Sequence, residues 1–258
     1  MNNYSKEHLD FIKKIKRENI ILNVARLSII VIFLVIWQLL ASGNYINTFL
    51  FSSPYKIVIT TYNLFIKGEL IKNIGITLFE VIISFIISGI VGILIASIMW
   101  WSKYFNKIID PYLTVINSLP KVALGPLIII WFGASIKSII FMGLIISIFI
   151  IIINTYQGFI STDNNLITMI KSFGGSKRQI FRYGVFPSNY NNIISTLKIS
   201  ISMNLIGVIM GELLVSKKGL GYLIMYGSQV FNIDLVISCV FILGLISFLM
   251  YYFINKIK

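Results

Sequence analysis

The chain has 258 residues, of which 57% are hydrophobic and 12% charged, with 22 Lys+Arg against 9 Asp+Glu. A water-soluble domain carries about a quarter charged residues, so this composition excludes one. The net charge of +13 does not indicate a nucleic-acid binder, because the basic residues lie between long apolar runs rather than on one face of a soluble domain.

Residues 1–24 read as a basic cytoplasmic segment with no small-residue cleavage site. Phe11, Ile12, Ile15, Ile20 and Ile21 mixed with Lys13, Lys14, Lys16 and Arg17 suit an amphipathic helix lying in the membrane interface. Residues 25–258 read as an all-α, polytopic membrane bundle of about six transmembrane helices. The apolar segments fall near 25–42, 75–100, 110–131, 137–157, 190–214 and 233–254. Between the first two, Ser53-Pro54 introduces a short helix over 55–67. The second carries Ser88, Gly92 and Ala96 at the spacing that lets membrane helices approach closely. Trp100, Trp101 and Tyr104 close it as an interfacial aromatic belt.

The third segment is interrupted by Asp110-Pro111, Leu119-Pro120 and Gly125-Pro126. Proline removes a backbone donor and disfavours helix at the residue before it. In lipid, the freed carbonyls must find partners in protein or in a water-filled cavity. Pro120, Lys121 and Pro126 are therefore candidates for a pathway lining, with a kinked structural helix as the other reading. Glu212, near the end of the fifth span, is a candidate gate or an interfacial ion-pair partner of Lys217 and Lys218.

Orientation follows from the basic residues. With both termini inside, and with Arg26 and Lys137 at span ends counted with the adjoining segments, the inner segments hold 14 Lys+Arg and the outer ones six, while Lys121 and Lys198 fall within spans. The longest inner loop, 158–189, has apolar residues at helical spacing from Leu166 to Phe173, with Asp163 placed to cap them. Gly174-Gly175 breaks that helix. A second amphipathic helix over 176–184 follows, with Ile180 and Phe181 as its apolar residues and Lys177, Arg178 and Arg182 as its basic ones. Such an element rests on lipid headgroups or inserts into a partner's groove.

The stretch Gly174 to Pro187, GGSKRQIFRYGVFP, resembles the EAA-loop motif of permease subunits of bacterial ATP-binding cassette (ABC) importers. The run from Ser118 to Leu127, with Trp131-Phe132-Gly133, is similar to the third-span signature of that family's nitrate/sulfonate/taurine branch. Gly211-Glu212-Leu213-Leu214 and Gly219-Leu220-Gly221-Tyr222 are similar to its segment after the fifth span. The resemblance implies a type I importer permease in the bacterial inner membrane. It assigns Phe173, Gly174, Gly175, Ser176, Lys177, Arg178, Ile180, Phe181 and Pro187 to a coupling loop that docks on a separate ATP-binding subunit. It also implies a second copy of the chain and an extracytoplasmic solute-binding protein. The solute would be a sulfonate, nitrate or a thiamine-precursor pyrimidine. The sequence departs from the family at Thr168-Met169-Ile170, where the acidic-Ala-Ala stretch belongs, and at Glu80, where the branch often has arginine.

No G-x-x-x-x-G-K-[ST] loop is present. No cofactor is expected in this chain; ATP and magnesium would sit in the partner. The single cysteine, Cys239, and the single histidine, His8, offer neither a metal site nor a catalytic dyad. Gly133-Ala134-Ser135 therefore reads as a turn rather than a nucleophile site. A stand-alone secondary transporter is the rival reading, weakened by the lack of an internal repeat.

Overall fold

The computed structural model describes residues 6–256, and residues 1–5 of the N-terminal segment lie outside them. Among the described residues the chain is helical throughout, with turns between the helices. Helix α1 (Lys6–Ser42) is one unbroken rod, so the basic segment runs directly into the first span rather than forming a separate helix. Helices α2 (Thr48–Phe51) and α3 (Pro54–Ile66) follow; Ser53 Oγ accepts from Lys56 N–H at 3.3 Å, and Pro54 sits in the first turn, where its missing donor costs nothing.

Helix α4 (Glu69–Trp101) is longer than the sequence indicates, because Gly68 in the left-handed region (φ 71°) starts it several residues early. Five helices are long and apolar enough to cross a membrane: α1, α4, α7 (Ile136–Ile160), α11 (Tyr190–Val215) and α13 (Ile233–Asn255). The third sequence segment is a broken pair. Helix α5 (Lys103–Ser118) meets a short 3-10 turn (Lys121–Leu124) and α6 (Gly125–Phe132) at 90°. Only Leu119-Pro120 makes the break. Pro111 lies inside α5, and Pro126 lies in the first turn of α6, where a proline is tolerated.

Helices α4, α7 and α11 form the centre. Lipid tails are as apolar as the side chains, so helix association here rests on close packing and interhelical hydrogen bonds. Small residues supply the closeness. A Cβ on Gly207 would sit 2.7 Å from both Gly143 Cα and Met142 O, and one on Gly92 would sit 2.7 Å from Ile151 Cγ2. Asn204 of α11 ties all three helices: Ser84 Oγ donates to its Oδ1 at 2.7 Å, and its Nδ2 donates to Ser147 Oγ at 3.2 Å. A second cluster joins α3, α4, α12 (Leu220–Gln229) and α13 through Leu64, Leu70, Leu220, Leu235 and Cys239. Helix α1 is peripheral, with Trp37 stacked on Phe241 of α13 at 6.0 Å between ring centroids.

Candidate functional site

One end of the bundle carries the 158–189 loop. Helix α8 (Asn164–Ser172) begins where Asp163 accepts from Asn165 N–H at 2.8 Å, as its sequence suggests. Gly174 then takes φ 76°, which a side chain adopts only under strain. Gly175 fills a tighter role: a Cβ there would lie 2.6 Å from the Ile170 carbonyl oxygen. Ser176 opens the next helical run in a capping box with Gln179, whose Oε1 accepts from Ser176 N–H at 2.7 Å.

That run is α9 (Lys177–Gln179), a π-helical stretch (Ile180–Val185) and α10 (Phe186–Ser188). The wider π turn lies just ahead of Pro187, which lacks the donor an ordinary α turn would use there. Asn189 alone separates α10 from α11. Its Nδ2 donates to Thr162 Oγ1 and to Val185 O, both at 2.8 Å, and so pins the two feet of the loop together.

The loop's faces differ from the sequence expectation. Ile180 is 5% exposed and packs with Ala96, Phe159, Val185 and Ile193. Phe181 turns inward too, with ring centroids 5.0 Å from Trp100 and 5.4 Å from Phe159. Ile180 anchors the loop to the bundle, while Phe181 packs on it and stays partly exposed beside Arg178 and Arg182. Lys177 also turns back; its Nζ donates to Trp101 O and lies 5.6 Å from the Trp100 ring centroid. Trp100 and Trp101 thus serve as a platform for the loop as well as closing α4. The outward face carries Phe173 (84% exposed), Tyr183 (65%) and Met169 (51%), with Lys171, Arg178 and Arg182 exposed beside them. Ser176 and Pro187 are exposed.

The opposite end holds a buried polar cluster that the sequence did not reveal. Glu212, 1% exposed, accepts from Thr77 Oγ1 at 2.6 Å and from Gly221 N–H at 2.5 Å. Thr77 in turn accepts from Leu220 N–H at 2.9 Å, and Asn73 Oδ1 accepts from Gly219 N–H at 2.6 Å. A carboxylate and two side-chain oxygens thereby satisfy the orphan donors that open α12. The two glycines are required by closeness, since a Cβ on Gly221 would lie 2.7 Å from Glu212 Cβ and 2.9 Å from Ile209 O. The expected ion pair of Glu212 with Lys217 and Lys218 is not formed, because both oxygens face inward onto α4 and α12. Glu80, 2% exposed, lies against the Glu212 carboxyl group.

Lys121 is partly exposed at the α5–α6 bend. Its Nζ donates to Asn117 O at 2.8 Å and Asn117 Oδ1 at 3.1 Å, and sits 5.7 Å from the Phe149 ring centroid. It caps the end of α5 there. Gly133 takes φ 73°, and Ser138 Oγ donates to Ser135 O at 2.6 Å, so 133–135 is a turn built around a helix start.

The chain is similar to known proteins. The chain is 30% identical over 226 residues to the formylaminopyrimidine transport permease protein ThiX of Halalkalibacterium halodurans, covering 87% of this chain and 89% of that one. It is 28% identical over 236 residues to the nitrate import permease protein NrtB of Synechocystis sp., covering 87% and 84%. In fold it matches a chain of the inward-facing MetNI methionine ABC transporter with a TM-score of 0.67 at 14% identity, over 74% of this chain and 95% of that one. Residues 88–257 match the family described as binding-protein-dependent transport system inner membrane component. With the helical bundle and the glycine-hinged loop, that match places the chain in this family: it is a multi-pass inner-membrane permease subunit of an ABC importer.

Proposed function

We propose that two copies of this chain form the translocation pathway and that each docks one ATP-binding subunit through the 158–189 loop. The observation that carries this reading is the loop's divided surface. Its inward face is fixed to the bundle by Ile180, Phe181 and Lys177, while Met169, Phe173 and Tyr183 stand exposed among basic residues. An apolar patch flanked by charge at the tip of a rigid element is the kind of surface a partner's cleft takes up. The loop end and both termini then lie in the cytoplasm, in keeping with the excess of lysine and arginine there. ATP is bound and hydrolysed in the partner, with its magnesium, and an extracytoplasmic binding protein delivers the solute to the opposite end. Candidate solutes are a thiamine-precursor pyrimidine, a sulfonate or nitrate.

The test is a pair of hinge variants, Gly174→Val and Gly175→Val, expressed with the ATP-binding subunit. Gly174→Val forces a β-branched residue to φ 76°, and Gly175→Val drives a side chain onto the Ile170 carbonyl. Both variants should insert into the membrane but lose capture of the ATP-binding subunit or ATP-dependent uptake. Normal assembly and uptake in both would refute the coupling role.

A further inference from the structure

We propose that the polar face of α5 lines the water-filled inner half of the translocation pathway, and that Lys121, at its mid-membrane end, is the charge that keeps cations out. The inference rests on the proposed pathway and deepens it by naming residues of its wall. Helix α5 has three distinct faces. On one, Leu113 packs with Met99, Ile148 and Ile152, and Phe105 and Ile109 lie against the same cluster. On the second, Ile108, Tyr112 and Val115 stand 61–64% exposed, as side chains that meet lipid tails do. The third face is polar. Lys103, Lys107, Asp110, Thr114 and Asn117 follow one another at helical spacing, and the line continues past the helix end to Lys121. The five on the helix are all exposed. Their hydrogen bonds turn back on the segment itself: Thr114 Oγ1 donates to Asp110 O at 3.0 Å, and Lys121 Nζ donates to Asn117.

Contacts fix the depth of this stripe. Helix α5 starts directly after Trp101, whose carbonyl accepts from Lys177 of the loop. It ends where Lys121 Nζ sits 5.7 Å from the ring centroid of Phe149, near the middle of α7. The stripe therefore runs from the loop end to about half-way through the bundle and stops at the 90° bend into α6. Beyond the bend, α6 reads GPLIIIWF and continues no polar line. Charged and polar groups at membrane depth face protein or a water-filled cavity, not lipid. Dry packing against a second copy would desolvate three lysines with one aspartate among them, a costly arrangement. Water is the covering that leaves every group satisfied. Lys103 and Lys107 stand at the mouth, where bulk solvent screens them. Lys121 stands at the inner end, where screening is weakest and its field reaches furthest along the path.

The experiment uses inside-out membrane vesicles containing the full chain co-expressed with the ATP-binding subunit. Cys239, which is buried, is first replaced by alanine. Single cysteines are then placed on the polar face (Thr114→Cys, Ser118→Cys) and on the apolar face at similar depth (Ile108→Cys, Val115→Cys). The probes are two membrane-impermeant methanethiosulfonates, one anionic (ethylsulfonate) and one cationic (ethyltrimethylammonium). Thr114→Cys and Ser118→Cys should react at least about tenfold faster than the other two, since only the thiolate in water reacts. At Ser118→Cys the ratio of anionic to cationic labelling should fall about fivefold in Lys121→Met. That is the effect of one unit charge roughly 8 Å away in water, acting in opposite senses on the two reagents. Lys121→Arg should keep the ratio. Equal labelling of the two faces, no labelling of Thr114→Cys and Ser118→Cys, or a ratio indifferent to Lys121→Met would overturn the proposal. Capture of the ATP-binding subunit by the same variants reads the docking separately. A chain that captures it while its polar face stays unlabelled keeps the docking and loses this lining.

Discussion

Replacing Gly207 with alanine tests whether the α7–α11 crossing sets the architecture. The added Cβ would lie 2.7 Å from Gly143 Cα and from Met142 O, both backbone atoms that cannot rotate away. Restoring ordinary contact at 3.4 Å requires the helices to part by about 0.7 Å, an overpacking strain of about 1–3 kcal/mol. The same displacement stretches the Asn204 Nδ2 to Ser147 Oγ hydrogen bond from 3.2 Å to about 3.9 Å, past useful reach. Losing it adds about 0.6 kcal/mol, the mean for interhelical hydrogen bonds in membranes. Gly244→Ala is the matched control, since nothing lies within 4 Å of its added Cβ, and improved helix propensity there is worth about 0.5–1 kcal/mol. The readout is the midpoint of SDS-driven unfolding of the purified chain in mild detergent, followed by tryptophan fluorescence. Gly207→Ala should unfold at distinctly lower SDS than the wild type, and Gly244→Ala at the same or higher. A wild-type midpoint for Gly207→Ala would refute the account of the crossing.

Ile180→Ala should destabilise by about 2–5 kcal/mol, as for a buried aliphatic side chain, lowering the melting temperature in detergent. Phe173→Ala, at an 84% exposed position, should leave that temperature unchanged while weakening capture of the ATP-binding subunit in pull-down. Glu212→Ala strips the acceptor from Thr77 Oγ1 and Gly221 N–H. At about 1–3 kcal/mol for each buried donor left unpaired, it should raise amide exchange at the start of α12 far more than in α7. Lys121→Met removes its hydrogen bonds to Asn117 and its contact with the Phe149 ring and, being partly exposed, should cost less than about 1 kcal/mol of stability.

The spans were legible because hydropathy in a membrane chain is a long, coarse signal that boundary errors do not destroy. Local caps were equally legible: Ser53 before α3 and Asp163 before α8 act within three residues of their own position. The break in the third segment was only partly so. Three prolines compete there, and which one bends the chain depends on whether the others fall in a first helical turn, as Pro126 does. The direction in which Ile180 and Phe181 point was hidden, because amphipathic spacing gives a face without saying whether bundle or partner covers it. Glu212 was least legible. Thr77 lies 135 residues away from it in sequence, and α12 draws its cap from helices already laid down rather than from the residue before it. The unbroken run of α1 was hidden for another reason: a polar segment that continues a helix differs little in composition from one that starts afresh.

Because Asn189 alone joins α10 to α11, the 26-residue α11 is a rod about 39 Å long with the loop bonded to one end and the Glu212 cap to the other. Each degree of tilt about the loop end carries the far end through about 0.7 Å, by the same length. A tilt of about eight degrees at the loop end would be enough to shift the α11–α12 turn by about 5.4 Å, the pitch of one helix turn. Such a tilt would make α11 a crank, its throw set by how many residues it contains.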